Sequence, residues 1–204
     1  LDVSNPNNPD RERVLADPGD VESLISSSFA GYYNNAAQTN PGLPTAAMAE
    51  TLTGGFFDFA VHDVTTIPRT VWDNSPLNTR GALARFPWDR LYTVISNVND
   101  GLQAIDGGLV IEGSGGNDNT ARARAFGKFV QGISHAYIAM HNDQALVVDE
   151  DTDLETLDPT GFLPWSEVID AAIPAICPIG SSASALRLPS VSPATKKTPV
   201  TKAI

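Results

Sequence analysis

Two stretches of about twenty residues, each apolar along one helical face only, constrain this chain more than any other feature. Leu91, Tyr92, Ile95, Val98, Leu102 and Ile105 fall at helical spacing behind Pro87, and Gly107-Gly108 follows Asp106. Proline suits a first helical turn, where its missing N–H leaves no bond unmade, and glycine suits the position just past the last turn. The spacing therefore predicts a helix from Pro87 to about Asp106. Asn119 is placed to cap a second helix, whose stripe is Ala125, Phe126, Phe129, Val130, Ile133, Tyr137 and Met140. Between them, Gly113–Gly116 reads as a flexible linker. Each rod has one face to bury, so the two are expected to pack as an antiparallel pair. Small residues at Ala121, Ala125, Gly132 and Ala136 predict a close approach by a partner helix.

The flanking segments extend this pattern. Asn5-Pro6 and Asn8-Pro9 favour turns, and residues 1–16 read as an extended lead-in. A helix is predicted from Asp17-Pro18 or Asp20, with Val21, Leu24, Ile25, Phe29 and Tyr32 as its stripe. A short helix over Thr45–Thr53 ends at Gly54-Gly55, and the stretch 56–86 carries no clean period. Residues 146–158 are acidic and extended, and Pro164 opens a last helix through Ile173. Alternating strand patterns are lacking. The expected fold is all-α, built of antiparallel helix hairpins of the tetratricopeptide-like kind with long irregular loops.

Charge limits the partners. All 24 acidic residues precede position 171, and the net charge is −11. Such a surface repels phosphate backbones and anionic membranes, so no nucleic-acid partner is expected. No apolar run approaches the ~20 residues that a membrane helix needs. A single cysteine, Cys177, excludes an internal disulfide and a cysteine-based zinc cluster within one chain. Residues 174–204 hold four basic residues, no acidic one and five prolines, and read as a disordered tail or as out-of-frame sequence foreign to the fold. The helical unit is thus expected to span 17–173.

Catalytic and metal signatures are sparse. His62, His135 and His141 form no His-Glu-x-x-His pattern, and His135 reads as a packed or surface histidine. Gly113-Ser114-Gly115-Gly116 has neither the first glycine of a nucleophile elbow nor the lysine of a phosphate loop. The run Asp149-Glu150-Asp151 with Asp153 and Glu155 invites calcium, but Leu154 and Thr160 stand where a calcium loop needs glycine and glutamate. A solvated acidic loop is the better reading. No catalytic residue, metal ligand or cofactor is expected. In 56–90, Phe56, Phe57, Phe59, Trp72, Phe86 and Trp88 are interleaved with Arg69, Asp73, Asn74, Asn78 and Arg80. Aromatic faces stack on sugar rings, and the polar groups bond hydroxyls; packing at the ends of the helical layers suits the same aromatics. Trp72, with Arg69, Asp73 and Asn74 beside it, is the candidate ligand platform.

Taken in order, these segments resemble the N-terminal part of SusD/RagB-family outer-membrane lipoproteins. Leu1-Asp2-Val3 with Asn5-Pro6-Asn7 is similar to the stretch after the lipidated cysteine of that family. Asp20-Val21-Glu22-Ser23-Leu24 leading to Gly31-Tyr32-Tyr33 is similar to its first helix. Pro68-Arg69 with Trp72-Asp73-Asn74-Ser75 looks like one of its loops. Trp88-x-x-Leu91-Tyr92-x-x-Ile95-x-x-x-Asn99-x-x-Leu102, then Ala121-Arg122-Ala123-Arg124-Ala125-Phe126, resemble its next two helices. Asp143 through Val148-Asp149-Glu150 to Trp165-x-Glu167-Val168-Ile169 fits the connection that follows. The resemblance covers about residues 1–173. It implies a surface-exposed, non-enzymatic lipoprotein that binds glycans or other nutrients as the lid of a SusC-like, TonB-dependent barrel. Attachment to the outer membrane would be only through a lipid anchor upstream of this chain. A glycan hydrolase using two carboxylates and a helical interaction scaffold are the alternatives.

Overall fold

The computed structural model of the chain describes residues 11–38, 46, 49, 51, 73, 75, 78, 82–113 and 115–176. These residues are mostly helical. α1 (Arg11–Ala16) and α2 (Pro18–Tyr32) run into a π-helical turn, Tyr33–Gln38. Then come α3 (Ala82–Asp106), α4 (Thr120–His141), the two-residue strands β1 (Gln144–Ala145) and β2 (Leu163–Pro164), and α5 (Trp165–Ile176). Of the short helix expected over Thr45–Thr53 only residues 46, 49 and 51 are described, with Thr51 N–H donating to Ala46 C=O at 3.0 Å; the tail from 177 onward lies outside the described residues. So does 56–81, apart from Asp73, Ser75 and Asn78.

α2 begins where its capping signal stands. The Asp17 carboxylate accepts from the Gly19 and Asp20 amides at 2.8 and 3.0 Å, and Pro18 occupies the first turn. The segment before it is not wholly extended: Arg11–Ala16 forms a short helix, held to α3 by the Arg11–Asp100 ion pair at 2.6 Å. α3 starts five residues ahead of Pro87, which lies inside the helix rather than in its first turn. A proline this near the N-terminus removes only one helical bond. Gly107-Gly108 closes α3 as expected, Gly108 at φ +98° with Leu109 N–H donating to Ala104 C=O.

The α3–α4 turn is folded, not a free linker. Glu112 and Asp118 bridge across it, Gly113 N–H donates to Asn117 C=O at 2.7 Å, and Gly115 and Gly116 supply two left-handed residues. Asn119 holds the N-cap position of α4 without a side-chain cap bond. The Asp118 carboxylate accepts from Thr120 N–H instead, at 2.8 Å. The Thr120 hydroxyl first, and then this amide, hold the Asp118 carboxyl below its ordinary range.

α3 and α4 pack antiparallel: contacts climb one helix as they descend the other. Leu91 lies with Ile138 and Ala139, Val98 with Val130, and Ile105 with Ala123. The expected stripe of α3 is fully buried except for Tyr92, which is half-buried. Each such aliphatic side chain contributes about 1.5–3 kcal/mol. Of the stripe expected of α4 only Val130 is fully buried, and Phe126, Phe129, Ile133 and Tyr137 are half-buried. Ala125 is exposed and Met140 is 64% exposed, whereas Ala123, Gly127, Gln131, Ser134, His135 and Ile138 are buried. α4 touches α2, α3 and α5, so small and polar residues between its large apolar ones go inside as well. Phe29 of α2 completes the centre against Phe126 and Phe129, with ring centroids 5.7 and 6.3 Å away.

α5 runs past Pro174 to Ile176 rather than stopping at Ile173. Its approach to α4 is close at Gly132, where an added Cβ would stand 2.9 Å from Ala172 C=O and 2.7 Å from Ile176 Cγ1. Replacing Gly132 with Ala should lower stability by about 1–3 kcal/mol, read as a reduced urea midpoint. Gly127→Ala meets no backbone: beside an ordinary contact with Ile25 at 3.6 Å, the one tight neighbour is the Leu102 side chain, at 2.9 Å. That side chain can turn aside, and the gain in helix propensity offsets part of the strain, so the midpoint should move less. Equal losses at the two sites would contradict the close seating of α5.

Candidate functional site

The described residues gather their buried polar groups where α3, α4 and the acidic connection between β1 and β2 meet. Asn99 of α3 and Gln131 of α4 project into the seam between the helices. Gln131 Nε2 donates to Asn99 Oδ1 at 2.6 Å and to Glu150 Oε2 at 3.0 Å. Lys128 Nζ, one turn before Gln131, donates to Glu150 Oε2 at 2.7 Å and to Gln131 Oε1 at 3.2 Å. The Glu150 side chain is only 5% exposed, and its charge is balanced by a lysine whose stem is largely covered. Asn99 Nδ2 reaches Val148 C=O at 3.3 Å.

Two further bonds hold the same connection. Tyr92 Oη donates to Leu146 C=O at 2.7 Å and accepts from Leu146 N–H at 2.9 Å. Burial pushes this phenol up to about 12, partly offset by the Leu146 bond. His135, almost wholly buried, lies on α4 one turn beyond Gln131. Its Nδ1 pairs with Gln131 C=O at 3.0 Å, and its Nε2 accepts from Val148 N–H at 3.2 Å. At the base, β1 and β2 pair Gln144 with Pro164 and Ala145 with Leu163. A strap from 146 to 162 is thus clipped at both ends and tied down along its first half.

The strap makes two grooves out of one helical surface. On one side, a cavity of about 630 Å³ lies between 148–155 and the α3 face that carries Ser96, Asn99, Asp100 and Gln103. On the other, a cavity of about 500 Å³ lies between α4 and α5, with Lys128, His135 and Val147 in its lining. The first groove presents carboxylates and amides, groups that bond hydroxyls and cations. Its acidic residues mostly serve their own turns. Asp149 Oδ1 accepts from the Thr152 hydroxyl and the Asp151 amide at 2.6 and 3.2 Å, and Asp153 holds Glu155 N–H and the Thr156 hydroxyl. Among the described residues, no three His, Cys, Asp or Glu side chains gather around one metal position.

Of the four residues expected to form a ligand platform, only Asp73 is among those described. It shapes a turn: Oδ1 accepts from Ser75 N–H at 2.9 Å, and its carbonyl accepts from Asn78 Nδ2 at 2.7 Å. Arg69, Trp72 and Asn74 lie outside the described residues. Trp88, from the same aromatic group, is packed, 4.9 Å from the Tyr92 ring and 6.1 Å from Phe162. Glu150 corrects the solvated-loop reading of 149–155, because one acid of that run is turned inward. The chain matches no family model, no curated protein and no solved structure.

Removing one partner of the Lys128–Glu150 pair strands the other. Lys128→Met should lower stability by about 2–4 kcal/mol in chemical denaturation, whereas Glu150→Gln, which keeps an acceptor for both donors, should lower it less. Tyr92→Phe leaves the Leu146 amide and carbonyl without their partner, at a cost of about 1–3 kcal/mol. Tyr92 also gives an alkaline signature. Its folded pKa lies above the ordinary 10.0, so its stabilisation is complete below pH 10 and is lost as pH climbs toward 12. The wild-type denaturation midpoint should fall over that window, and Tyr92→Phe should flatten that part of the fall.

Proposed function

We propose that this chain works as the N-terminal part of a non-catalytic, SusD/RagB-type nutrient-binding lipoprotein. In this reading it captures glycans or other oligomeric nutrients and closes as a lid on a SusC-like, TonB-dependent outer-membrane barrel. One observation carries the reading. The segments with the densest resemblance, Trp88–Leu102 and Ala121–Phe126, lie in neighbouring antiparallel helices, and the 143–169 stretch folds back over them. Order along the chain and adjacency in space agree, as a set of tetratricopeptide-like helical pairs requires.

The protein is surface-exposed in this reading, anchored by a lipid upstream of the chain, and uses no cofactor. Among the described residues no helix is long and apolar enough to cross a membrane. Binding energy comes from stacking on Trp72 and from hydrogen bonds to Arg69, Asp73 and Asn74. Delivery follows if the ligand binds the open and closed lid states with different affinity.

Affinity electrophoresis of the full chain through gels containing a panel of polysaccharides tests the assignment. Retardation by at least one glycan is expected, and Trp72→Ala should weaken it about tenfold, the loss of one stacked ring. Release of reducing sugar that disappears with a single carboxylate substitution would identify a hydrolase instead. Capture of peptide partners with no retardation by any glycan would identify a helical scaffold. Either result overturns the nutrient-binding reading.

A further inference from the structure

We propose that the His135–Val148 contact is a pH-sensitive latch: one proton on His135 Nε2 releases the 146–152 part of the strap from α4 and opens the wall shared by the two grooves. The latch does not depend on what the grooves bind.

The two neighbours of the ring fix its tautomer. Nδ1 faces a carbonyl oxygen, that of Gln131 at 3.0 Å, and a carbonyl can only accept. Nδ1 therefore carries the hydrogen, and Nε2 is left with its lone pair. That lone pair meets the Val148 amide, which can only donate, at 3.2 Å. The neutral imidazole satisfies both neighbours with one hydrogen. The imidazolium cannot, because its second N–H then points at the N–H of Val148. A buried amide loses its acceptor, and a new donor has none. The strap can move away from α4; the imidazole, held among the helices, cannot.

The groups facing His135 decide how readily this happens. Lys128 on its own helix opposes the cation, and Asp149 on the strap favours it. Tyr92 of α3 presents its ring edge-on at 6.5 Å with its hydroxyl already bound to Leu146. Glu150 is engaged by Lys128 and Gln131. From α5, the shared groove receives Ala171, Ala172, Pro174 and Ala175, none of them titratable. Burial outweighs the rest and holds the imidazole below its ordinary value of 6.5, with the Gln131 carbonyl and Asp149 pulling the other way. A base whose folded pKa is depressed stabilises the fold fully above its unfolded value. That contribution is lost as pH falls from about 6.5 through the folded value. The latch is therefore closed at neutral pH and loosens in mild acid.

The same displacement would undo the Asn99–Val148 bond and expose Glu150, whose partners all lie on α4. Release reaches both cavities, because Asp149 lines each of them.

Amide hydrogen exchange on the full chain, followed by NMR, reads the latch directly. Between about pH 7.5 and about pH 5, protection of the 146–150 amides relative to intrinsic exchange should fall about tenfold or more, while Val98 and Val130 stay protected. His135→Gln cannot take up a proton, and its 146–150 protection should not fall over this range. Unchanged wild-type protection down to pH 5 overturns the proposal. So does an equal fall in His135→Gln, which would assign the transition to Asp149 or Glu150. Should that variant not fold, imidazole nitrogen shifts of the wild type decide. A hydrogen on Nδ1 at neutral pH, and a titration coinciding with the loss of Val148 protection, are expected; the opposite tautomer or a separate midpoint excludes the latch.

Discussion

One hydrogen bond in an oily seam sets the register of this fold. α3 and α4 face each other mainly through aliphatic and small residues, and apolar contact is nearly indifferent to a slide of one turn along the helices. The Gln131–Asn99 bond is not. A slide of one helical turn would break it, leaving the buried Asn99 oxygen and one Gln131 N–H without a partner, at about 1–3 kcal/mol for each orphaned group. The choice of register then propagates. Leu102 settles against Gly127, Ile105 against Ala123, and Leu91 against Ile138. α2 lies across both helices with Ile25 against Gly101, where an added Cβ would stand 2.6 Å from Ile25 Cγ1.

Gln131 also faces the other way, toward Glu150, so the bond that aligns two helices attaches the strap as well. A carboxylate this deep is tolerated because Lys128 supplies the opposite charge and Gln131 a further donor. Aliphatic residues of similar volume can pack as well as such a set, but an apolar patch does not fix which residue of a long loop returns to the seam. Polar pairing gives the strap a single address. With both ends clipped by β1 and β2, and Trp165 N–H donating to Asp143 C=O at 2.9 Å, the loop becomes a wall.

The sequence shows the rods plainly and their facing poorly. A period of 3.6 residues in α3, with glycines behind it, leaves little choice of structure, and all but one of its predicted inward residues are fully buried. In α4 the same reasoning follows the largest side chains, of which Phe126, Phe129 and Tyr137 are half-buried against α2 and the turn after it, and Met140 is exposed. The buried line instead passes through Ala123, Gly127, Gln131 and Ser134, because neighbours on three sides favour residues that let backbones approach. Glu150 could not be told from the acids beside it, since burial of one carboxylate in such a run depends on a lysine twenty-two positions earlier. Asn99 and Gln131 left a fainter trace: each is an amide at helical spacing within an apolar face. The expected platform at Arg69, Trp72, Asp73 and Asn74 came from local composition, and only Asp73 has a described place, in a turn that its own carboxylate builds.

A wall shared by two cavities couples them without any long-range pathway. Energetic coupling needs an element with two arrangements whose balance both sites bias, and the proposed latch gives the strap a second one. Val94, Val98, Leu102 and Val130 form a cluster to which the strap contributes nothing, so its departure would leave that part of the core in place. A ligand in the groove beside α3 would press on Asp149 from one side, and anything seated between α4 and α5 would press on it from the other. The sign of the coupling then depends on which side each occupant needs the strap to be. Reciprocity holds whichever it is: an occupant that displaces the strap to fit makes room for, or removes a contact from, the other by the same free energy.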